Sequence, residues 1–248
     1  MAGVYTFSAL FDQKDTPHRP SQMLTFLMAI QPKTLTVVPS LKELKAGYPD
    51  LRGLFFDMDG TLLDTERYHT QAFLKIGKDY GITPPHSPEV IHGLLVGRAD
   101  HLVFEVVRHW HGFPKDWTAR DFVNEKNNNL LSILKSIPTD MFLPVEVVNL
   151  LIEARTEKLK LALVTSSEKV VTEELLRMGA IRDFFPLVLT RDDCPHHKPD
   201  PWPYRKALEL SQMNPNEVII FEDSEVGIAA ATGSGAHVMR AEWHPKGK

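Results

Sequence analysis

The stretch that decides the fold is Leu54-Phe55-Phe56-Asp57-Met58-Asp59-Gly60-Thr61. Three consecutive apolar residues are typical of a short strand buried on both faces, and the acidic residues after them mark where the strand ends. Ligands of parallel α/β sheets bind at the carboxyl ends of the strands. The stretch therefore predicts that Asp57 and Asp59 lie in a binding site.

Three further apolar runs end in the same way, in polar residues that can take part in chemistry. The segments between the runs have helical spacing, for example after Pro144 and from Pro203 to Leu210. Strands that alternate with helices predict a Rossmann-like α/β fold, a parallel sheet flanked by helices. The runs are Leu161-Ala162-Leu163-Val164 before Thr165, Leu187-Val188-Leu189 before Thr190, and Val218-Ile219-Ile220-Phe221 before Glu222.

The strand signal stops between Thr65 and Ile137, where apolar residues recur at helical spacing. We predict a small all-helical cap domain at residues 67–137, inserted after the first core strand. The core domain would then comprise residues 51–66 and 138–248. Residues 1–50 form an N-terminal extension of unknown role, in which residues 34–38 have the composition of a strand and Ser40 that of a helix cap.

The composition limits the class of partner. The chain has 248 residues and a formal net charge of -4, so no general positive field attracts nucleic acid or an anionic membrane surface. No apolar stretch approaches the ~20 residues of a membrane span, and the single cysteine fits a reducing compartment. We expect a cytoplasmic protein that acts on a small molecule, and the sequence predicts no particular oligomeric state.

Asp57 and Asp59 carry the first chemical signal. An Asp-Gly pair is often only a turn, but here it follows a buried strand, and two carboxylates at the ligand end of a sheet require a cation. Mg²⁺ prefers such oxygen ligands and can bridge to phosphoryl oxygens. Alternation along an extended chain places both side chains on one side, which suits one as nucleophile and the other as acid and base.

Each of the later signals also has an ordinary explanation. Glu222-Asp223-Ser224 is acceptable as a plain helix N-terminus, and so are Thr165 and Ser166. Lys198 would be a solvated loop lysine in most chains, although the prolines on its C-terminal side stiffen the loop. The ordered set, each member directly after a predicted strand, is far more specific than any single member.

In order along the chain, these motifs resemble the four signature motifs of the haloacid dehalogenase-like hydrolase superfamily. The resemblance covers roughly residues 51–241, and the helical insert resembles that family's type 1 cap. It implies a phosphate monoester hydrolase with a mobile lid. The matching motifs are Asp57-Met58-Asp59-Gly60-Thr61, Thr165, Lys198-Pro199-Asp200-Pro201, and Glu222-Asp223-Ser224 with Gly227.

The resemblance also implies a role for each motif residue. Asp57 would form an aspartyl-phosphate, Asp59 would act as general acid and base, Thr165 would hold a phosphoryl oxygen and Lys198 would offset negative charge. For Mg²⁺ it implies the carboxylates of Asp57 and Asp223 and the main-chain carbonyl of Asp59, with Glu222 at or near the ion. The substrate contacts expected at the cap and its hinge are Thr65, His69, Arg98 and, from the core, Ser166.

Within the superfamily, Asp59 favours phosphoryl transfer over dehalogenation, because the dehalogenases lack a second acid. Residues 64–69 resemble the subgroup that contains β-phosphoglucomutase and sugar-phosphate phosphatases. Thr61 is usual in the phosphatases, so we predict a phosphatase for a small phosphate ester, with a phosphosugar mutase as the alternative. A catalytically silent binding relative is a third class, disfavoured by the intact set of motif residues. The cap histidines, including His92, and the residues Trp110 and Trp117 are interpreted as surface and cap core rather than as metal or base-stacking sites.

Overall fold

The structure, a computed structural model, describes residues 32–83 and 100–244 of the chain. Within these ranges six strands form one parallel sheet with the order β1-β6-β5-β2-β3-β4, which confirms the predicted Rossmann-like α/β fold. In chain order the strands are β1 (Lys33–Leu35), β2 (Gly53–Phe56), β3 (Lys160–Val164), β4 (Leu187–Leu189), β5 (Val218–Glu222) and β6 (His237–Ala241).

Helices connect these strands and cover the sheet. None of them, in the part of the chain that the structure describes, is long and apolar enough to cross a membrane. They are α1 (Leu41–Gly47), α2 (Glu66–Tyr80), α3 (Asp100–Val107), α4 (Ala119–Lys135), α5 (Val145–Thr156), α6 (Lys169–Met178), α7 (Trp202–Ser211) and α8 (Glu225–Ser234).

The central strands show why the apolar runs predicted the sheet. Every residue of β2 and β5 is buried, and alternate residues point to opposite faces. Leu54 and Phe56 belong to the core on one face, whereas Phe55 belongs to the core on the other. A strand that is covered on both faces has to be apolar at every position, and this is the pattern that the sequence displays.

Two strands at one side of the sheet extend it beyond the predicted runs. β6 was not predicted, because it is only partly buried and His237 and Arg240, one on each face, interrupt its apolar pattern. β1 lies within residues 34–38 only in part and pairs with β6 at the sheet edge. Ser40 caps α1 in a capping box with Glu43, as its sequence indicated. Residues from Pro32 therefore contribute to the sheet and its covering helices.

The insert after β2 is helical, as predicted, and consists of α2, α3 and α4 among the described residues. Phe73, Phe104 and Phe122 lie at the centre of its own apolar cluster, with Trp110 and Trp117 packed at the margin. The opposite end of α4 reaches the main core through Leu130 and Leu134. The boundaries of the predicted core and cap domains stay a prediction.

The order of the strands determines where the candidate site lies. β2 lies between β3 and β5. The chain continues from β2 to β3 and β4 on one side and then crosses to β5 and β6 on the other side. Such a switch point opens a crevice at the carboxyl ends of the strands. The loops after β2, β3 and β5 meet there, together with the loop that follows β4.

Candidate active site

The loop after β2 carries Asp57 and turns sharply at Gly60. The N–H of Asp57 still donates to the carbonyl of Phe221 in β5, at 3.0 Å, so Asp57 is held as an extension of the sheet. Gly60 has a φ of +80°, and a Cβ atom there would collide with the carboxylate of Asp223. Glycine is required because the two loops touch at a backbone conformation that other residues rarely adopt.

Lys198 joins the two acidic loops. Its Nζ donates to Asp57 Oδ1 at 2.6 Å, to Glu222 Oε1 at 2.6 Å and to the carbonyl of Val164 at 2.9 Å. All three protons of the ammonium are thus used, and only 4% of the side chain is exposed. Burial alone would lower the pKa of Lys198, but the two carboxylates raise it above its usual value. The lysine is a fixed positive charge beside Asp57.

Glu222 is fully buried behind Lys198. Its Oε1 also accepts a hydrogen bond from the hydroxyl of Tyr204, at 2.6 Å, and burial next to Glu222 raises the pKa of that hydroxyl well above its usual value. Oε2 has no hydrogen-bond partner among the described residues. A Cβ atom at Gly227 would overlap the carboxylate of Glu222, so the first turn of α8 packs directly on it. The carboxylate therefore has one oxygen committed and one available.

Asp57, Glu222 and Asp223 form an acidic cluster in which one carboxylate oxygen from each lies within 4.8 Å of the others. Burial, together with Glu222 and Asp223, raises the pKa of Asp57 well above its usual value despite the lowering effect of Lys198. Burial, Glu222 and Glu66 raise the pKa of Asp223 to about 7. One ammonium does not balance three carboxylates, so the cluster has the charge and the oxygen donors that a divalent cation needs.

Asp59 lies outside this cluster, in a different environment. Its Oδ1 accepts from Thr65 Oγ1 at 2.5 Å and lies 3.0 Å from Nε2 of His69, and its Oδ2 accepts from Ser167 Oγ at 2.6 Å. Burial would raise the pKa of Asp59, but His69 and the hydrogen bonds from His69, Ser167 and Thr65 lower it below the usual value. The anion of Asp59 is therefore the favoured form before substrate binds.

A buried lysine of the cap connects to this arrangement. Lys126, in α4, lies with its Nζ 3.3 Å from Nδ1 of His69 and 2.6 Å from Oδ2 of Asp100. Only 3% of its side chain is exposed. The helical insert thus contacts Asp59 through His69, a residue of the first turn of α2.

A cavity of about 370 Å³ joins these groups. Its floor includes Asp57, Asp59 and Asp223, and the loop after β3 adds Thr165 and Ser166 to its wall. The hydroxyl oxygen of Thr165 accepts from the N–H of Ser167 at 3.0 Å, which keeps this loop tightly turned. The apolar part of its lining comes from Phe73 and Leu102 of the helical insert and from Val226 of α8.

The sequence predictions map onto this geometry as follows. Ser166 and His69 line the cavity, whereas Thr65 is fully buried and donates to Asp59. Arg98 and His92 lie outside the described residues. The six motif residues that the structure brings together are Asp57, Asp59, Thr165, Lys198, Glu222 and Asp223.

Sequence reasoning assigned no role to three residues at the site. Ser167 belongs with Thr165 and Ser166 to a run of hydroxyl residues after a predicted strand, which indicates hydrogen-bond donors but not its contact with Asp59. Tyr204 lies in the helical pattern after Pro203, where an aromatic residue is read as core. Lys126 lies in an asparagine-rich stretch of α4 with no motif around it, and nothing in the sequence pointed to it.

Comparison with known proteins gives the family. Residues 54–241 match the sequence model of the haloacid dehalogenase-like hydrolases. The chain belongs to this family. The predicted resemblance is therefore confirmed, over nearly the same range.

Relatives within the family include phosphatases. The chain is 28% identical to the fructose-1-phosphate phosphatase YqaB of Escherichia coli, over 76% of this chain and 95% of that protein. It is 25% identical to CbbY of Rhodobacter sphaeroides, crystallised in complex with phosphate, with a TM-score of 0.68 over 80% of this chain and 90% of that chain. The family match and the named phosphatase confirm the predicted enzyme class, a phosphoric monoester hydrolase.

A mutase shares the fold as well. The β-phosphoglucomutase of Clostridium difficile is 24% identical, with a TM-score of 0.63 over 77% of this chain and 84% of that chain. At this identity the likeness extends to the fold alone. The choice between hydrolysis and isomerisation therefore rests on the site.

Proposed function

We propose that this chain is a Mg²⁺-dependent phosphatase that hydrolyses a small phosphate monoester through an aspartyl-phosphate on Asp57. The observation that carries the proposal is the contrast between two aspartates in one loop. Asp57 lies beside a fixed ammonium and two further carboxylates, and Asp59 is held apart by three hydrogen-bond donors. This is the division of labour that a nucleophile and an acid-base partner require.

Asp57, Glu222 and Asp223 fit a divalent cation. Their donors are all carboxylate oxygens, one oxygen of Glu222 has no partner among the described residues, and the pKa of Asp223 is raised to about 7. We assign Asp57 and Asp223 as ligands, with the main-chain carbonyl of Asp59 and with Glu222 at or near the ion. Bound Mg²⁺ would neutralise the carboxylates and the phosphoryl oxygens.

In the first step a carboxylate oxygen of Asp57 attacks phosphorus. The bond from phosphorus to the ester oxygen breaks, and that oxygen takes a proton from Asp59, which enters this step protonated once substrate is bound. Lys198 keeps its contact with Asp57 and stabilises the charge that develops, while Thr165 and Ser166 supply hydroxyl groups at the cavity wall. The products are the aspartyl-phosphate and the free alcohol.

In the second step water attacks the phosphorus of the aspartyl-phosphate and transfers a proton to Asp59. The bond to Asp57 breaks, phosphate leaves, and both aspartates return to their starting forms. The hydrogen bonds from Thr65, His69 and Ser167 favour the anion of Asp59, which is the form that accepts this proton. We assign Thr65 to positioning Asp59, and, on the family resemblance, His69 and Arg98 to substrate binding.

The substrate class we propose is a sugar phosphate. A named relative is a fructose-1-phosphate phosphatase, and the cavity combines acidic, hydroxyl and apolar walls that suit a polyol. Thr61 supports hydrolysis over isomerisation, because threonine is the usual residue at this position in the phosphatases of the family.

The test is the hydrolysis of an aryl phosphate and of a panel of sugar phosphates, with Mg²⁺ and with chelator. The wild type should require Mg²⁺, and Asp57→Asn should lower kcat at least ~10³-fold without unfolding the protein, because the nucleophile is lost. Asp116→Asn removes an exposed carboxylate of the insert and is the matched control. Full activity in Asp57→Asn would overturn the proposal.

The same panel separates the phosphatase from the mutase. It should include β-glucose 1-phosphate, with free phosphate and glucose 6-phosphate both measured. Release of phosphate without the isomer supports the phosphatase. Formation of the isomer in excess over phosphate would identify the mutase instead.

A further inference from the structure

The peptide unit between Thr61 and Leu62 occupies a central position in the loop that carries Asp57. Its N–H, on Leu62, donates to the main-chain carbonyl of Asp57 at 3.3 Å. Its carbonyl, on Thr61, points the opposite way, because the N–H and C=O of a trans peptide are fixed in one plane. Any group that holds the carbonyl of Thr61 therefore also fixes the N–H that contacts Asp57.

Two side chains after β6 hold that carbonyl. Nε1 of Trp243 donates to the oxygen of Thr61 at 2.9 Å, and Nε2 of His244 lies 2.7 Å from the same oxygen. A carbonyl oxygen only accepts and has two lone pairs, so Nε2 of His244 carries the proton and each residue uses one lone pair. Trp243 is itself fixed, since its ring meets that of Phe221 edge to face at 5.6 Å.

The environment of His244 suits a neutral donor. Its Nδ1 is buried and has no hydrogen-bond partner among the described residues. Burial lowers the pKa of His244, because the charged ring would lose its hydration. The neutral imidazole of His244 therefore donates through Nε2, and no charged partner is needed to stabilise it.

The side chain of Thr61 extends the same connection to the acidic cluster. Thr61 is fully buried, and its Oγ1 donates to Asp223 Oδ1 at 3.3 Å. One residue thus contacts the chain of Asp57 through its peptide unit and the carboxylate of Asp223 through its hydroxyl.

We propose that Trp243 and His244 are positioning residues for the reaction, which hold the Thr61–Leu62 peptide and through it set Asp57 relative to Asp223. Neither residue lines the cavity or belongs to the signature motifs. The inference rests on the proposed function for its catalytic consequence, but the contact itself is testable without activity.

The arrangement makes a specific prediction about additivity. Each donor alone can keep the carbonyl of Thr61 in place, so Trp243→Phe and His244→Leu should each raise the Mg²⁺ activation constant and lower kcat only about 2- to 3-fold. The double variant should change both about 20-fold or more, because both lone pairs then lose their partners. The KM for the substrate should move less than kcat.

Two controls separate positioning from packing. His244→Gln keeps an N–H at the end of the side chain and, combined with Trp243→Phe, should recover most of the lost activity. Trp117→Phe removes an indole N–H in the apolar cluster of the helical insert, away from Thr61, and should leave kcat and the Mg²⁺ constant unchanged.

Amide hydrogen exchange provides the readout that needs neither metal nor substrate. Exchange at Leu62 should accelerate about tenfold or more in the double variant, and not in Trp117→Phe, because its acceptor geometry loosens. Unchanged exchange at Leu62 in the double variant would overturn the proposal. So would a change in kcat and in the Mg²⁺ constant that only equals the product of the changes in the two single variants, with a lowered melting temperature as the one further effect. If the wild type hydrolyses no phosphate ester while Leu62 responds as expected, the proposed function fails and the contact stands.

Discussion

Asp57 and Asp59 are two residues apart in one loop, and their surroundings are opposite in character. Asp57 is paired with the ammonium of Lys198 but shares its space with Glu222 and Asp223, and its pKa is raised. Asp59 faces three donors and no second carboxylate at hydrogen-bond distance among the described residues, and its pKa is lowered.

The elements around the loop therefore determine the role of each acid. Asp57 meets the ends of β5 and the loop after β4, which bring the acidic pair and Lys198. Asp59 meets α2 and the loop after β3, which bring hydroxyl groups and His69. Groups whose surroundings push their pKa values apart are the usual basis for separate catalytic roles.

The largest expected effect comes from removing the charge of Asp59. Asp59→Asn should lower kcat about 10³-fold, because the leaving oxygen and the attacking water lose their proton carrier. The affinity for Mg²⁺ should stay within about twofold, since the carboxylate of Asp59 is not part of the acidic cluster. Steady-state kinetics and isothermal titration with Mg²⁺ would measure the two quantities.

Asp223→Asn is the matched change on the other side of the comparison. It should weaken Mg²⁺ binding by about tenfold or more, because a ligand charge is lost. If Asp59→Asn weakened Mg²⁺ binding as much as Asp223→Asn, the separation of the two sites would be wrong.

The next effect concerns pH and the acidic cluster. Without Mg²⁺, burial and the neighbouring Glu222 raise the pKa of Asp223 from its usual 3.8 to about 7. Between these values the folded protein binds more protons than the unfolded chain, so the free energy of unfolding falls as the pH rises through this window. Mg²⁺ competes with the proton, so its stabilising effect should grow by up to about 1.4 kcal/mol between pH 6 and pH 8.

Thermal unfolding measured at pH 6 and pH 8, with Mg²⁺ raised to saturation at each pH, would check this dependence. Asp223→Asn, which cannot bind that proton, should show a weaker dependence of the Mg²⁺ effect on pH. Equal stabilisation of the wild type by Mg²⁺ at both pH values would argue against a proton on the cluster.

The sequence predicted the parts of the fold that are buried on both faces. The runs at Leu54, Leu161 and Val218 became central strands, because burial on both faces leaves an uninterrupted apolar pattern. The run at Leu187 also became a strand, although it lies at the sheet edge and is only partly buried. β6 escaped prediction, since it is only partly buried and carries His237 on one face and Arg240 on the other. Partial burial admits polar residues into a strand, and these interrupt the apolar pattern on which such a prediction depends.

The site divides along a similar line. Asp57 and Asp223 stand directly after strands and Lys198 lies in the loop after β4, so the predicted topology was enough to bring them together. Tyr204 and Lys126 lie on helices, and Trp243 and His244 follow β6. Their contributions depend on tertiary contacts between distant segments, and these leave no local pattern.

The smallest effect we predict is on the Asp57 side. Tyr204→Phe removes the hydroxyl that donates to Glu222 and keeps the ring 5.0 Å from Nζ of Lys198. Since Lys198 still binds Oε1 of Glu222, kcat should fall only about 2- to 5-fold, whereas the free energy of unfolding should fall by about 1.5–3 kcal/mol, the usual worth of a hydrogen bond to a charged group.

Tyr80→Phe is the control for this variant, because it removes the hydroxyl of a tyrosine at an exposed position of the insert. Its loss of stability should stay below about 0.5 kcal/mol, since water replaces the lost contact. Chemical denaturation measures both variants. An equal loss of stability in the two variants would mean that burial gives the hydrogen bond to Glu222 no added strength. A loss of kcat in Tyr204→Phe as large as in Asp59→Asn would mean that the hydroxyl, rather than Lys198, holds Glu222 in place.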